Sequence, residues 1–157
     1  MHFEYCNVSV RELNDEEAKP YELLLLADPY KKLIDTYLKY SKIFIATTAD
    51  EIMGAVVLFP LSNDVVEIKN IAVKVEFQGN GIGKLLLDAA VEIGRKENYT
   101  LICIGTANSS IGQLYLYQTK GFEITNIIPN YFLDNYPEAI YEKDIQAKHM
   151  IMLTRRL

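Results

Sequence analysis

The stretch Gln78-Gly79-Asn80-Gly81-Ile82-Gly83-Lys84 constrains the fold more than any other part of the chain. It follows a long, nearly uninterrupted apolar run, Val65–Val73, which predicts a central strand. It precedes a segment in which Ile82, Leu85, Leu86, Ala89, Ala90 and Ile93 recur at three and four residues, which predicts an amphipathic helix to about Lys96. Three glycines at alternate positions let the backbone approach a ligand closely and turn its N–H groups one way. The helix N-terminus adds about half a positive charge at the same point. The expected ligand group is a pyrophosphate; an ordinary glycine-rich turn is the plain alternative. Two phosphate loops do not fit. Gly79, Gly81 and Gly83 lack the Gly-x-Gly-x-x-Gly spacing of a dinucleotide fold. A P-loop needs one more residue before its Gly-Lys pair, and Leu85 stands where it needs Ser or Thr.

The remaining pattern alternates strands and helices. Phe3–Glu12 alternates apolar and polar residues and predicts a strand. Pro20 suits the first turn of a helix carrying Leu23–Leu26. Asp28-Pro29 reads as the N-cap and first position of a second helix with Leu33, Ile34, Tyr37 and Leu38 on one face. Ile43–Thr48 and Ile52–Phe59 form a hairpin about Ala49-Asp50-Glu51. Leu101–Gly105 reads as a short buried strand, and Ser109–Lys120 as a helix closed by Gly121. Phe122–Ile128 and His149–Arg155 are two closing strands. The order β, αα, βββ, α, β, α, ββ predicts an α+β (mixed α/β) fold, with residues 1–157 as a single domain.

Composition narrows the chemistry. Half of the 157 residues are hydrophobic, ample for a core. The net charge of −5 is a poor match to a nucleic-acid binder and suits a pocket for a cationic amine. Cys6, Cys103, His2 and His149 are too few and too scattered for a disulfide framework, a metal site or a Cys–His nucleophile. Cys103 reads as a small buried hydrophobe. No apolar run reaches a membrane span, and Met1–Asn7 has no signal-peptide pattern. The expectation is a cytoplasmic protein without a membrane partner.

Gln78-Gly79-Asn80-Gly81-Ile82-Gly83 also matches the pattern Gln/Arg-x-x-Gly-x-Gly/Ala, and Asn70-Ile71-Ala72-Val73 resembles the strand end that precedes it. Asn108-Ser109-Ser110 with Leu116-Tyr117-Gln118-Thr119-Lys120-Gly121-Phe122 is similar to Asn…Leu-Tyr-x-x-x-Gly-Phe. Both patterns, in this order and on these elements, resemble the GNAT N-acetyltransferase superfamily, and in particular bacterial members of unassigned substrate. The resemblance covers essentially the whole chain. It implies a mostly antiparallel central sheet with about four helices. The fourth and fifth strands, here Val65–Val73 and Leu101–Gly105, would run parallel and splay apart to admit the pantetheine arm of acetyl-coenzyme A. Ile71, Ala72 and Val73 would pair with that arm, and the Val73 N–H would face the thioester carbonyl as an oxyanion donor. Gln78, Gly79, Asn80, Gly81, Ile82, Gly83 and Lys84 would cradle the pyrophosphate. Asn108 and Ser110 would hold the arm from the other side, although Asn108 also suits a helix N-cap.

The implied reaction is attack of an amine on a thioester, directly and within a ternary complex. An alkylammonium must first lose a proton, so a base or a chain of waters is needed. Glu67, five residues before Ala72, stands where histone-acetylating members carry a glutamate base; the plain reading is a carboxylate paired with Lys69. The departing thiolate wants a hydroxyl donor, which the family takes from a tyrosine. Counting back from Gly121-Phe122 selects Tyr117, and counting forward from Asn108 selects Tyr115. Two helical positions differ by about 200°, so one of them faces the thioester; the Gly-Phe register favours Tyr117. Tyr131, Phe132 and Asp134, within Pro129–Asp144, would flank the acceptor, unless that segment is a plain connection. His149 reads as structural. The expected acceptor is a primary amine of a small molecule or peptide. A non-catalytic acyl-coenzyme A sensor on the same fold is the rival, and a homodimer through the closing strands is open to such a chain.

Overall fold

The computed structural model describes residues 7–49 and 51–157. In chain order the elements are β1 (Ser9–Glu12), α1 (Tyr21–Ala27), α2 (Lys31–Leu38), β2 (Lys42–Thr47), β3 (Ile52–Pro60) and β4 (Val65–Val73). A single 3-10 turn (Val75–Phe77) leads to α3 (Ile82–Lys96), β5 (Leu101–Ala107) and α4 (Ile111–Thr119). Then come β6 (Glu123–Ile128), α5 (Tyr131–Asn135), the small hairpin β7 (Ile140–Glu142) and β8 (Ile145–Ala147), and β9 (Met150–Arg156). Of the predicted strand Phe3–Glu12, residues 3–6 lie outside the described residues, as does Asp50 of the β2–β3 turn.

Seven strands form one mixed sheet in the order β1-β2-β3-β4-β5-β9-β6. β4 and β5 run parallel, and every other neighbouring pair is antiparallel. This is the expected α+β architecture. Apolar side chains on both faces of β2, β3 and β4 demand cover on both sides. One face packs Ile45, Ala55 and Val57 against Leu24 of α1 and Ile34 and Leu38 of α2. The other packs Val56, Val66 and Ile68 against Leu86, Leu87 and Ala90 of α3, with Tyr117 of α4 and Phe122 at its margin. None of the helices in the described residues is long and apolar enough to cross a membrane.

Two details of β4 shape the cleft at its end. Val57 pairs with Asn70 and Leu58 with Ile68, so Lys69 is the extra residue of a β-bulge. The bulge restarts the alternation, so Glu67, Lys69, Asn70 and Ala72 share the α1/α2 face. Beyond it β4 and β5 part company: their pairing runs from Val65↔Leu101 to Ile68↔Ile104 and stops.

The sequence pattern misplaces two features. Helix α2 starts at Lys31 with Tyr30 in the cap position, so Asp28 is not its N-cap. Asp28 terminates α1 instead, its N–H donating to the Leu24 carbonyl at 3.1 Å. The span Pro129–Asp144 is no plain connection either. It forms α5 and the β7 strand, whose partner β8 follows the turn at Lys143 (φ 54°).

Candidate active site

The diverging ends of β4 and β5 open a cleft with two lobes. One lobe, about 660 Å³, is bounded by the free edge of β4, the glycine loop, the start of α3 and one side of α4. The other, about 410 Å³, is bounded by the α1–α2 corner, the bulged face of β4, the end of β5 and α5. Leu26, Ala27, Ile71, Gln113 and Tyr117 line both, so the lobes meet at these residues.

In the larger lobe the backbone supplies the chemistry. The Lys74 N–H donates to the Met53 carbonyl at 2.9 Å. Antiparallel alternation then turns the Ala72 backbone toward Ala55 and the Ile71 and Val73 backbones toward the gap. The expectation that Ala72 supplies edge groups is therefore corrected: they belong to Ile71 and Val73, while Ala72 lines the lobe. The Gln78 side chain crosses back and its Nε2 donates to the Val73 carbonyl at 3.0 Å, fixing the loop to the strand. Gly79 and Gly81 have φ of 75° and 87°, values that favour glycine. A Cβ at either would meet nothing within 4 Å, so this stretch of backbone stands open to a ligand. Gly81 is the cap residue of α3, whose 15 residues direct their first N–H groups at the same space. Lys84 and Gly83 line it, with Lys84 exposed. Asn80 does not line it; its side-chain amide donates to the Phe77 and Gln78 carbonyls and braces the loop.

Asn108 is neither the helix cap nor a lining residue. Ser110 occupies the cap position of α4. The Asn108 Oδ1 accepts from the Lys148 and His149 N–H groups at 2.8 and 3.0 Å, and its Nδ2 donates to the Gln146 carbonyl, pinning β5 to the segment before β9. Ser110 lines the smaller lobe, where its hydroxyl donates to Glu142 Oε1 at 2.6 Å. His149 is structural, its Nδ1 accepting the Asn130 N–H at 2.9 Å.

The two tyrosines separate cleanly. Tyr117 is 4% exposed at the junction of the lobes, whereas Tyr115 is 73% exposed on another side of α4. Burial pushes the Tyr117 hydroxyl well above the usual phenol range, and none of the described residues bonds to it. Tyr117 is therefore held in its protonated form where it lines both lobes. Glu67 is buried beside the smaller lobe, and the ion pair foreseen with Lys69 is present at 3.2 Å. Lys69 itself lines the lobe and lies over the Phe59 ring, 5.7 Å from its centre.

Tyr131 and Phe132 of α5 line the smaller lobe, their rings edge to face at 5.3 Å, and Phe132 stacks on Tyr136 at 5.4 Å. Asp134 does not; it is exposed on α5 away from the lining. The carboxylates that do line this lobe are Asp28 and Glu142. Asp28 Oδ1 accepts from the Tyr136 hydroxyl at 2.9 Å and the Tyr30 N–H at 3.3 Å, and Oδ2 accepts from the Tyr37 hydroxyl at 3.5 Å. Burial holds the Asp28 carboxyl above its ordinary range, with these bonds pulling it back. Tyr37 also accepts from Asn70 Nδ2 at 3.1 Å, and the same amide donates to the Leu24 carbonyl at 3.0 Å. Sequence reasoning gave neither Asp28 nor Asn70 a part in the site. An Asp-Pro pair resembles a helix start, and Asn70 was legible only as part of a strand end.

Residues 39–124 match the acetyltransferase (GNAT) domain family. The chain is 46% identical over 142 residues, 90% of each protein, to the uncharacterized N-acetyltransferase YvbK of Bacillus subtilis. A GNAT family acetyltransferase from Elizabethkingia anophelis, solved with acetyl-coenzyme A bound, superposes with a TM-score of 0.94 at 47% identity, covering 97% of this chain and 99% of the other. A Bacillus subtilis acetyltransferase solved in complex with coenzyme A superposes with a TM-score of 0.89 at 41% identity, covering 96% and 99%.

Proposed function

Because the chain belongs to the GNAT acetyltransferase family, we propose that it transfers the acetyl group of acetyl-coenzyme A to a primary amine held in the smaller lobe. The observation that carries this reading is the meeting of two differently built lobes at one buried tyrosine. The larger lobe has the donors a coenzyme needs: the free β4 edge for a pantetheine amide, and the open glycine loop and α3 N-terminus for a pyrophosphate. Acetyl-coenzyme A supplies the acyl group as a thioester and leaves as the thiol.

The residues divide the work. The Val73 N–H, pointing into the gap, donates to the carbonyl oxygen as negative charge develops there. Tyr117 donates its hydroxyl proton in a hydrogen bond to the departing sulfur. The acceptor ammonium must first lose a proton, at a cost of about 4–5 kcal/mol at neutral pH. Glu67 takes that proton through an intervening water, since its carboxylate does not line the lobe and is paired with Lys69, which does. The aromatic walls of Tyr131 and Phe132 hold the acceptor while Asp134, outside the lining, takes no part. The acceptor is a small molecule or a peptide end, given a lobe of about 410 Å³.

Initial rates of thiol release, with acetyl-coenzyme A and an amine varied together, test the reading. Direct transfer predicts intersecting double-reciprocal lines. Parallel lines would contradict direct transfer. Coenzyme binding without thiol release from any amine would favour the sensor reading.

A further inference from the structure

The smaller lobe contains a negative charge that the acetyl-transfer chemistry does not use. Of the two buried carboxylates among the described residues, Glu67 is paired with Lys69, whereas Asp28 has no cation within ion-pair distance. Its donors are two phenols and one backbone N–H, all neutral. Neutral donors orient a carboxylate without matching its charge; Lys69 acts on Asp28 only from beyond ion-pair distance, as the weakest of the influences on it, and burial outweighs it. The one cation in the lining, Lys69, is held by Glu67, and Glu142 adds a further carboxylate. A second acceptor lies in the same wall. Asn70 spends both amide protons on Leu24 and Tyr37, and its buried Oδ1 has no hydrogen-bond partner among the described residues. Tyr37 joins the two, accepting from Asn70 and donating to Asp28.

Tyr136, whose hydroxyl donates to this carboxylate, lines the same lobe, and Phe132 stacks on its ring. A buried carboxylate, a spare carbonyl and aromatic faces together fit an ammonium group. An ammonium seated there is disfavoured as the attacking amine. A carboxylate partner favours the protonated form, and the nucleophile has to be neutral. Asp28 lines the smaller lobe only, one residue on from Ala27 at the junction, whereas Tyr117 lines both lobes.

We propose that the acceptor carries two basic nitrogens: one acetylated at the junction, and a second held as an ammonium by Asp28 in the aromatic-lined part of the smaller lobe. The substrate class is a small alkyl diamine or polyamine. This deepens the acetyl-transfer reading and rests on it.

The experiment compares diamines from diaminopropane to diaminohexane with alkyl monoamines of the same lengths, by kcat/KM in thiol release. At least one diamine is expected to exceed its matched monoamine by about tenfold or more, as a hydrogen-bonded ion pair would give. In Asp28→Asn and in Tyr136→Phe that ratio falls toward one. Coenzyme affinity, measured in parallel, shows that the variants are folded. Equal kcat/KM for both series in the wild type would overturn the proposal, and so would a ratio that survives both substitutions. If no amine releases thiol, the acetyl-transfer reading fails by itself. Calorimetry on the coenzyme A-loaded protein then decides the present one. Tighter binding of a diamine that Asp28→Asn abolishes supports it, and equal binding of the two series overturns it.

Discussion

Tyr117 and Phe122 pack against each other across the end of α4, ring centres 6.3 Å apart and planes tilted by 55°. The backbone closes the same corner: the Phe122 N–H donates to the Tyr117 carbonyl at 3.0 Å, and Gly121 turns through a φ of 84°. This αL closure fixes the rotation of α4 about its axis. It is why Tyr117 lies at the junction of the two lobes and Tyr115 does not.

The glycine loop can be tested through its backbone. Gly81→Ala forces a residue with a Cβ into φ near 87°, in open space, so the cost is conformational rather than steric. Stability should fall by about 1 kcal/mol. Gly112 also has open space around an added Cβ but sits inside α4 with no positive φ. Gly112→Ala should gain about 0.5–1 kcal/mol. Urea unfolding of both variants checks the pair; equal signs would contradict the backbone reading.

Gly54 is different because its neighbours are close. A Cβ there would lie 2.8 Å from the Ala72 carbonyl oxygen and 2.9 Å from Leu86 Cδ1. The carbonyl belongs to the same β4 end that offers Val73 to the cleft, so relief requires that strand to move. Gly54→Ala should destabilise by about 1–3 kcal/mol. It should also weaken coenzyme binding, which calorimetry would detect. Unchanged stability and affinity would show that the two strands yield without cost.

Cys103 gives the pH-dependent test. Burial, then the nearby Glu67 carboxylate, push its thiol up to about 12, with Lys69 opposing. The folded chain therefore keeps a proton that the unfolded chain releases from about pH 9. The contribution of this group is fully present below pH 9 and is lost as pH rises toward 12. In a Cys6→Ser background, Cys103 should resist iodoacetamide at pH 8 until the protein is unfolded in urea. Rapid alkylation of the folded protein would contradict the burial.

These tests probe features of unequal visibility in the sequence. The glycine loop, its strand and helix, and the Leu-Tyr-x-x-x-Gly-Phe corner were legible because each depends on local chemistry: positive φ, helical periodicity, a C-terminal glycine. That Tyr117 rather than Tyr115 lines the junction followed from the same corner. The acceptor side was not legible in this way. Asp28 gained its place from a helix that starts two residues late, and α5 from a five-residue turn too short to show a period. The inward face of Glu67 depends on the bulge at Lys69, a property of strand pairing rather than of either strand alone. Asn108 looked like a ligand residue by its position in a motif, yet its side chain is spent on the segment before β9.

The central claim is that chemistry occurs at Tyr117, where the lobes meet. Steady-state thiol release by Tyr117→Phe and Tyr115→Phe, with coenzyme affinity measured in parallel, tests it most directly. Loss of a positioned proton donor should lower kcat in Tyr117→Phe by about a hundredfold or more. Coenzyme affinity should stay within about threefold, since the phenyl ring still fills the corner against Phe122. Tyr115→Phe, on the exposed side of the helix, should match the wild type. A Tyr117→Phe enzyme with wild-type kcat, or a larger loss in Tyr115→Phe, would contradict the account.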